Sequence, residues 1–380
     1  MTRVLMLSTD RKILEEGSDA RERMALYGTV FDELRILLMC KDVKKGEQKL
    51  SSNVFVYLVP MDNMLQEAWK VFKGIPIEMF NGLVDIVTAQ DPFELGYIGA
   101  KIAKKLGVPL QLQLHTDFLS PYFANPRTNF RNFLKKQVAR RYLARANCIR
   151  VVSKRIKDSL ERELHIPEEK ITILPIFVDI KKIGGMPVTI SLREKYPQFN
   201  FIILMASRLT KEKNISLALR SFREIVTKHP KTGLCIVGEG PMKKNYESRI
   251  RDYGLENNVV FENWVPYDTL ISYYKTADLF LLTSNYEGYG RTLIEAAASG
   301  CPIVTTNVGA VGDILKAERD VLVCSVGDEK CFAKGIARLI AAKQLRDMLS
   351  HNAKSAALAR AISFDEYLKC YNQMFERCTT

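Results

Sequence analysis

Glu287 and Glu295 flank a glycine-bearing turn in the run from Leu281 to Ala298, and no other spacing in the chain says as much about chemistry. The run reads as a buried strand, a turn carrying Gly288 and Gly290, and a helix that begins between Gly290 and Thr292. Free amides at that start, those of Arg291 and Thr292 among them, form a seat for phosphate that the glycines let a ligand approach closely. Glu287 at the strand end and Glu295 about one turn into the helix can both face such a ligand. Carboxylates are poor partners for phosphate and good acceptors for sugar hydroxyls, so a diphosphate set between a sugar and a ribose satisfies the whole pattern. Without its strand and helix, the same pattern is two solvated glutamates.

Other loops that follow strand-like runs carry groups of matching type. Ala206 to Asn214 holds Arg208, suited to bidentate oxygen recognition, and Lys213, suited to a point-charge contact. Val237 to Pro241 sets Gly238, Glu239 and Gly240 in a tight turn, and Leu110 to Asp117 puts His115 at a strand end. Ser153 follows the run Ile149 to Val152. Each of these alone also fits an ordinary loop residue, a turn, or a satisfied structural histidine. No constellation of Asp, His or Cys has metal-ligand spacing, so metal-independent chemistry is expected.

The elements that must position these residues show in the hydropathy pattern. Short apolar runs separated by helix-sized intervals recur from Val4 to Leu174 and again from Phe201 to Val323, which is the mark of parallel strands buried on both faces. A chain of 380 residues exceeds one ordinary core. The reading is therefore an α/β protein of two doubly wound, Rossmann-like domains facing each other across a cleft. The expected bounds are residues 1–178 for the first domain, 179–197 for a linker, and 198–362 for the second. Aromatic and apolar residues at helical spacing, Phe364, Tyr367, Leu368, Tyr371 and Phe375, predict a helix over about 363–380 that packs back on the first domain.

The net charge of +13 calls for an anionic partner. Eleven basic residues and no acid lie between Arg127 and Lys157, Arg131, Lys135, Lys136, Arg140 and Arg150 among them. Phe130, Phe133, Leu134, Val138 and Tyr142 share a helical side there, so the segment reads as an interfacial helix for an anionic membrane, with a core-packed helix and a solvated basic face as the other reading. No nucleic-acid motif accompanies the charge. Eight scattered cysteines read as free thiols of a reducing compartment. With no secretion signal and no apolar run of spanning length, a cytoplasmic protein, able to sit at the inner face of the membrane, is expected.

The stretch around Glu287 and Glu295 resembles the Glu, seven residues, Glu signature of retaining GT-B glycosyltransferases of family 4, the glycosyl transferases group 1. The likeness extends from about Phe201 to Asp328. It implies a nucleotide-diphosphate sugar as co-substrate with no cofactor, Glu287 on the transferred sugar, and Glu295 on the ribose. It also implies Arg208 and Lys213 on the leaving diphosphate, Gly238 to Gly240 lining the nucleotide pocket, His115 beside the anomeric carbon, and Ser153 in the cleft. Retention of configuration follows from the resemblance alone, and a hexose moved to a glycan or lipid-linked acceptor is the implied reaction. The chain departs from the family where the loop Ser8 to Ser18 lacks a glycine pair, where Asp313 stands for Glu, and at Gly309-Ala310. An inverting transferase, a nucleotide-sugar epimerase, or a non-catalytic membrane-binding module on the same fold are the competing readings.

Overall fold

The computed structural model describes residues 2–61, 72, 74–124 and 129–379. The chain divides into two compact units, Met1–Pro175 with Ser363–Thr380, and Ile176–Ile362.

The first unit is built on an eight-stranded sheet: β1 (Arg3–Ser8), β2 (Glu33–Cys40), β3 (Gly46–Ser51), β4 (Val54–Pro60), β5 (Ile86–Ala89), β6 (Leu110–Leu114), β7 (Cys148–Val151) and β8 (Ile171–Ile173), in the order β3-β4-β2-β1-β5-β6-β7-β8. All neighbours run parallel except β3, which pairs antiparallel with β4. The central strands are buried along their length because helices cover them: α1 (Asp19–Gly28), α2 (Glu94–Leu106), α3 (Phe130–Leu143) and α4 (Lys154–Leu164). β3 has the polar sequence GEQKLS and is largely exposed, so periodicity gave no sign of it.

The second unit begins with two short helices, α5 (Ile180–Gly185) and α6 (Leu192–Lys195). Its sheet comprises β9 (Phe201–Ala206), β10 (Thr232–Val237), β11 (Val259–Glu262), β12 (Leu279–Leu282), β13 (Ile303–Thr306) and β14 (Leu322–Cys324). All pairs are parallel, in the order β11-β10-β9-β12-β13-β14. Around them lie α7 (Ile215–Lys228), α8 (Lys243–Asp252), α9 (Tyr267–Thr276), α10 (Arg291–Ala298), α11 (Glu329–Ala341) and α12 (Lys343–Leu358). One core cluster joins β9 and β10 to α7, α8 and α11 through Ile203, Leu217, Phe222, Leu234, Tyr246 and Phe332. The order reverses between β9 and β12, and such a switch point opens a crevice at the carboxyl ends of the strands.

Three expectations are corrected. Residues 179–197 are no free linker: α5 and α6 bury Ile180, Ile183 and Leu192, Thr189 bonds Ser272 on α9, and the segment belongs to the second unit. Two cysteine pairs are disulfides, Cys148–Cys378 and Cys324–Cys331, while Cys40, Cys235, Cys301 and Cys370 are free. The first bridge ties β7 to α13 (Phe364–Thr379) across a separation of 230 residues, which spacing along the chain cannot reveal. Arg150, read as part of a basic surface, is 3% exposed inside the first unit. No helix among the described residues is long and apolar enough to cross a membrane.

Candidate active site

The loops after β9 and β12 meet at the switch point of the second unit. Lys211–Lys213 forms one tight turn, ended by Asn214 in the left-handed region at φ 47°. Backbone and side-chain bonds then join it to the β12 loop: Asn285 N donates to Glu212 O at 2.7 Å, Thr283 Oγ1 to Lys213 O at 3.0 Å, and Asn214 Nδ2 to Asn285 Oδ1 at 2.9 Å. This bracing brings Lys213 Nζ to 2.6 Å from Glu287 Oε1, which also accepts from Ser284 Oγ at 2.7 Å. Both charged side chains are only 14% exposed. Removing one of such a pair strands the other charge in a poorly solvated place.

Glu295 lies deeper. It is 3% exposed and accepts from Arg291 Nε at 2.7 Å, one helical turn away on α10. Burial raises its carboxyl above the ordinary carboxylate range, and Arg291 and Tyr267 beside it work in the opposite direction. The Arg291 guanidinium also sits 5.5 Å from the Tyr267 ring centre, so its side chain is engaged with Glu295 while its amide stays at the helix start. That start is capped by Gly290 at φ 77°, with no side-chain cap on the first amides. Gly288 and Gly290 are buried and Thr292 is half-buried.

The turn after β10 closes on the same region. Leu209 N donates to Glu239 O at 2.8 Å and Met242 N to Leu209 O at 3.0 Å. A Cβ on Gly240 would stand 2.5 Å from Leu209 O, so only glycine permits the two loops to touch. Arg208 differs from Lys213: its side chain is 79% exposed and lies 3.7 Å from Glu212, outside the buried pair.

In the first unit His115 follows β6. Its Nε2 is buried and has no hydrogen-bond partner among the described residues. Burial first, then the cations Arg150 and Arg23, push its pKa down to about 3, so the ring is neutral. Ser153 is buried and caps α4, accepting from Ile156 N at 3.4 Å. The position fits a structural cap, and nothing in the geometry of this unit assigns it a ligand.

The family models cover most of the chain. The one described as glycosyl transferases group 1 matches residues 192–356, and the one described as glycosyltransferase family 4 matches residues 40–182. This chain belongs to the group 1 glycosyltransferases. It is 29% identical over 208 residues to an uncharacterized glycosyltransferase of Methanocaldococcus jannaschii, covering 53% of each chain. It is 25% identical over 228 residues to the alpha-monoglucosyldiacylglycerol synthase of Streptococcus pneumoniae, covering 58% of this chain and 51% of that one. The matched segment thus spans about half the length of these curated relatives. In fold, the sucrose-phosphate synthase of Thermosynechococcus elongatus superposes with a TM-score of 0.81 at 17% identity over 99% of both chains. Anabaena HepE, solved in complex with UDP, gives 0.73 at 19% identity, again over 99% of both.

Several residues that shape this group 1 site escape a reading of the chain alone. Ser284 holds Glu287 from three residues before it, and Tyr267 reaches Glu295 and Arg291 from α9; no motif marks either. Among the described residues no group of three or more His, Cys, Asp or Glu could hold a metal ion.

On α3, Arg131 and Arg140 are exposed while Lys136 is half-buried. Phe130 is 60% and Leu134 40% exposed, whereas Tyr142 and Leu143 face the core. Lys135 turns inward, 3.4 Å from Glu94 Oε2 and over the Phe93 ring. Further along, Lys154 pairs with Asp158, and Lys157 with Glu161 and Glu168. The basic run is thus partly spent on internal pairs; Arg127 lies outside the described residues.

Proposed function

We propose that this chain transfers a hexose from a nucleoside-diphosphate sugar to a hydroxyl of a glycan or lipid-linked acceptor, with retention of anomeric configuration. The observation that carries the reading is the braced Lys213–Glu287 pair beside the buried Glu295, all at the switch point of an all-parallel sheet. Arg208, Lys213 and the first amides of α10 supply positive potential where the leaving diphosphate gathers charge, a preorganised term that strengthens toward the transition state. Glu287 accepts from hydroxyls of the sugar and Glu295 from the ribose, and the Gly238–Gly240 turn with Glu239 walls the nucleotide. With the donor phosphate as base, no protein carboxylate need attack the anomeric carbon. Activity is expected to persist in EDTA.

UDP-glucose is the first donor to try, since UDP and UDP-glucose occupy the HepE structures. A diacylglycerol-type acceptor is supported by the names of two relatives and by the half-apolar, half-basic outer face of α3. Co-sedimentation with vesicles of graded anionic lipid checks this peripheral docking. Binding is expected to rise with anionic content, fall with salt, and drop when Arg131, Lys136 and Arg140 become Gln, each basic contact being worth about 1 kcal/mol. A soluble acceptor becomes the better reading if that variant binds as well as the native chain. The reaction itself is tested by donor consumption and by the anomer of the product: an inverted product returns the chain to the inverting enzymes.

A further inference from the structure

A cavity lies on the first sheet, apart from every residue assigned above. Along β4 the side chains alternate: Val54 and Val56 on one face are wholly buried, while Phe55, Tyr57 and Val59 on the other are only half-buried. In register, β2 sets Leu37 beside Tyr57 and β3 sets Glu47 on its other side. The segment leading to β5 roofs this face with Ile75 and Phe80, both buried, and with Met79, 41% exposed; the Phe80 ring meets that of Tyr57 edge-on at 5.4 Å. Between floor and roof is a cavity of about 630 Å³ with almost wholly apolar walls, all of its lining among the described residues. That is the size of a small-ligand pocket and well beyond a packing defect. Its mouth is basic. Lys45 lines it, Lys41 and Lys44 stand beside it in the turn between β2 and β3, and Asp42 of that turn faces Arg11 at 3.8 Å. Among the described residues neither Lys44 nor Lys45 makes an ion pair. The turn follows the carboxyl end of β2 and adjoins that of β4, where Gly46 is in register with Leu58.

We propose that this cavity of the first unit holds the alkyl chain of a lipid whose anionic head rests on Lys44 and Lys45. An apolar chain suits apolar walls, and the surface it removes from water grows with its length until the cavity is full. A ligand polar on every side, such as a free sugar, would leave its hydroxyls unpaired there. The two ammonium groups give the head point-charge contacts, and Glu47, the one acid of the lining, stands back from them opposite Tyr57. The head then lies at the carboxyl ends of β2 and β4, the edge at which open α/β sheets take ligands. That such a lipid also accepts the sugar rests on the proposed function; its binding rests on the cavity alone. Docking by α3 calls for a membrane surface, whereas the cavity takes a single lipid molecule.

The test is calorimetric titration of the full chain, without donor, with hexyl, decyl and tetradecyl phosphate below the concentrations at which they form micelles, and with decyltrimethylammonium beside the decyl phosphate. Affinity should rise about fourfold for each methylene that enters the cavity and level off once the chain outgrows it. The trimethylammonium head should bind about tenfold more weakly at low salt, because it meets like charge at the mouth. Met79→Trp, at a position open enough to accept the larger ring, should fill part of the cavity and lower the affinity for tetradecyl phosphate about tenfold. Joint replacement Lys44→Gln and Lys45→Gln should remove the preference between heads and keep the dependence on chain length. Equal affinity for the three chains, no binding of any of them, or a Met79→Trp variant that binds as tightly as the native chain overturns the inference. Equal binding of the two heads by the native chain overturns the role given to the lysines. A chain that binds these lipids and consumes no nucleotide sugar keeps the inference and loses the proposed function; donor consumption without lipid binding does the reverse.

Discussion

The two sheets present their chemistry at the carboxyl ends of their strands in opposite ways. In the second unit charges are matched: Lys213 with Glu287, Arg291 with Glu295, each pair within 2.7 Å and shielded from solvent on at least one side. In the first unit a cation, Arg150, is buried among neutral acceptors, and the candidate functional group His115 is an uncharged ring. The difference teaches that the second unit keeps its charges in exchangeable pairs: under the proposed function, phosphate would relieve Lys213 and a sugar hydroxyl would relieve Glu287. The first is built to keep its charge fixed.

Breaking the matched side should give the largest effect. Glu287→Ala and Lys213→Ala are each expected to lower kcat by roughly 10²–10³-fold, about 3–4 kcal/mol. The double variant should lose little more than either single one because the two act as a unit. Steady-state kinetics of the three proteins checks this, and full additivity would mean that the pair is independent surface chemistry. Arg208→Ala, at an exposed position, should lower kcat less than Lys213→Ala while leaving donor affinity nearly unchanged.

Glu295→Ala comes next, and it should act on binding more than on turnover. It strands Arg291 and removes an acceptor for ribose, weakening nucleotide affinity by about 1–3 kcal/mol in calorimetric titration. An unchanged affinity would make the Arg291–Glu295 pair a helix-stabilising contact alone.

On the fixed side the effects should appear in stability. Ser153→Ala removes the cap of α4 and should cost about 1 kcal/mol in denaturant unfolding with donor affinity intact; a loss of affinity without a loss of stability would instead restore Ser153 to the ligand site. The neutral His115 adds a pH dependence. Its folded pKa, about 3, lies below the ordinary value near 6.5, so the unfolded chain takes up a proton that the folded chain refuses. Stability therefore falls as pH drops from about 6.5 toward 3, and His115→Asn should flatten that slope.

What could be read from the sequence follows from how local the signal is. β9, β10 and β12 announce themselves as continuous apolar runs because both faces are covered, and the turn after β12 carries its two glutamates and its glycines within nine residues. Long-range pairings are another matter. The ammonium of Lys213 finds Glu287 74 residues away, and Cys148 finds Cys378 through the packing of α13. Polar β3 has no period to betray it, and α5 and α6 are too short for one. Arg150 looks like its basic neighbours, and only the tyrosines of α13 show that it belongs to the interior.

The proposed donor site of the second unit is tested most directly by the consumption of UDP-glucose followed by NMR in wild type and Glu287→Ala. Wild type should release UDP, slowly by hydrolysis and faster once an acceptor is present, with the α-anomer retained in the transferred product, while Glu287→Ala should release it at about a hundredth of that rate or less. Equal rates in the two proteins, with this or any other nucleotide sugar that the chain consumes, would contradict the assignment.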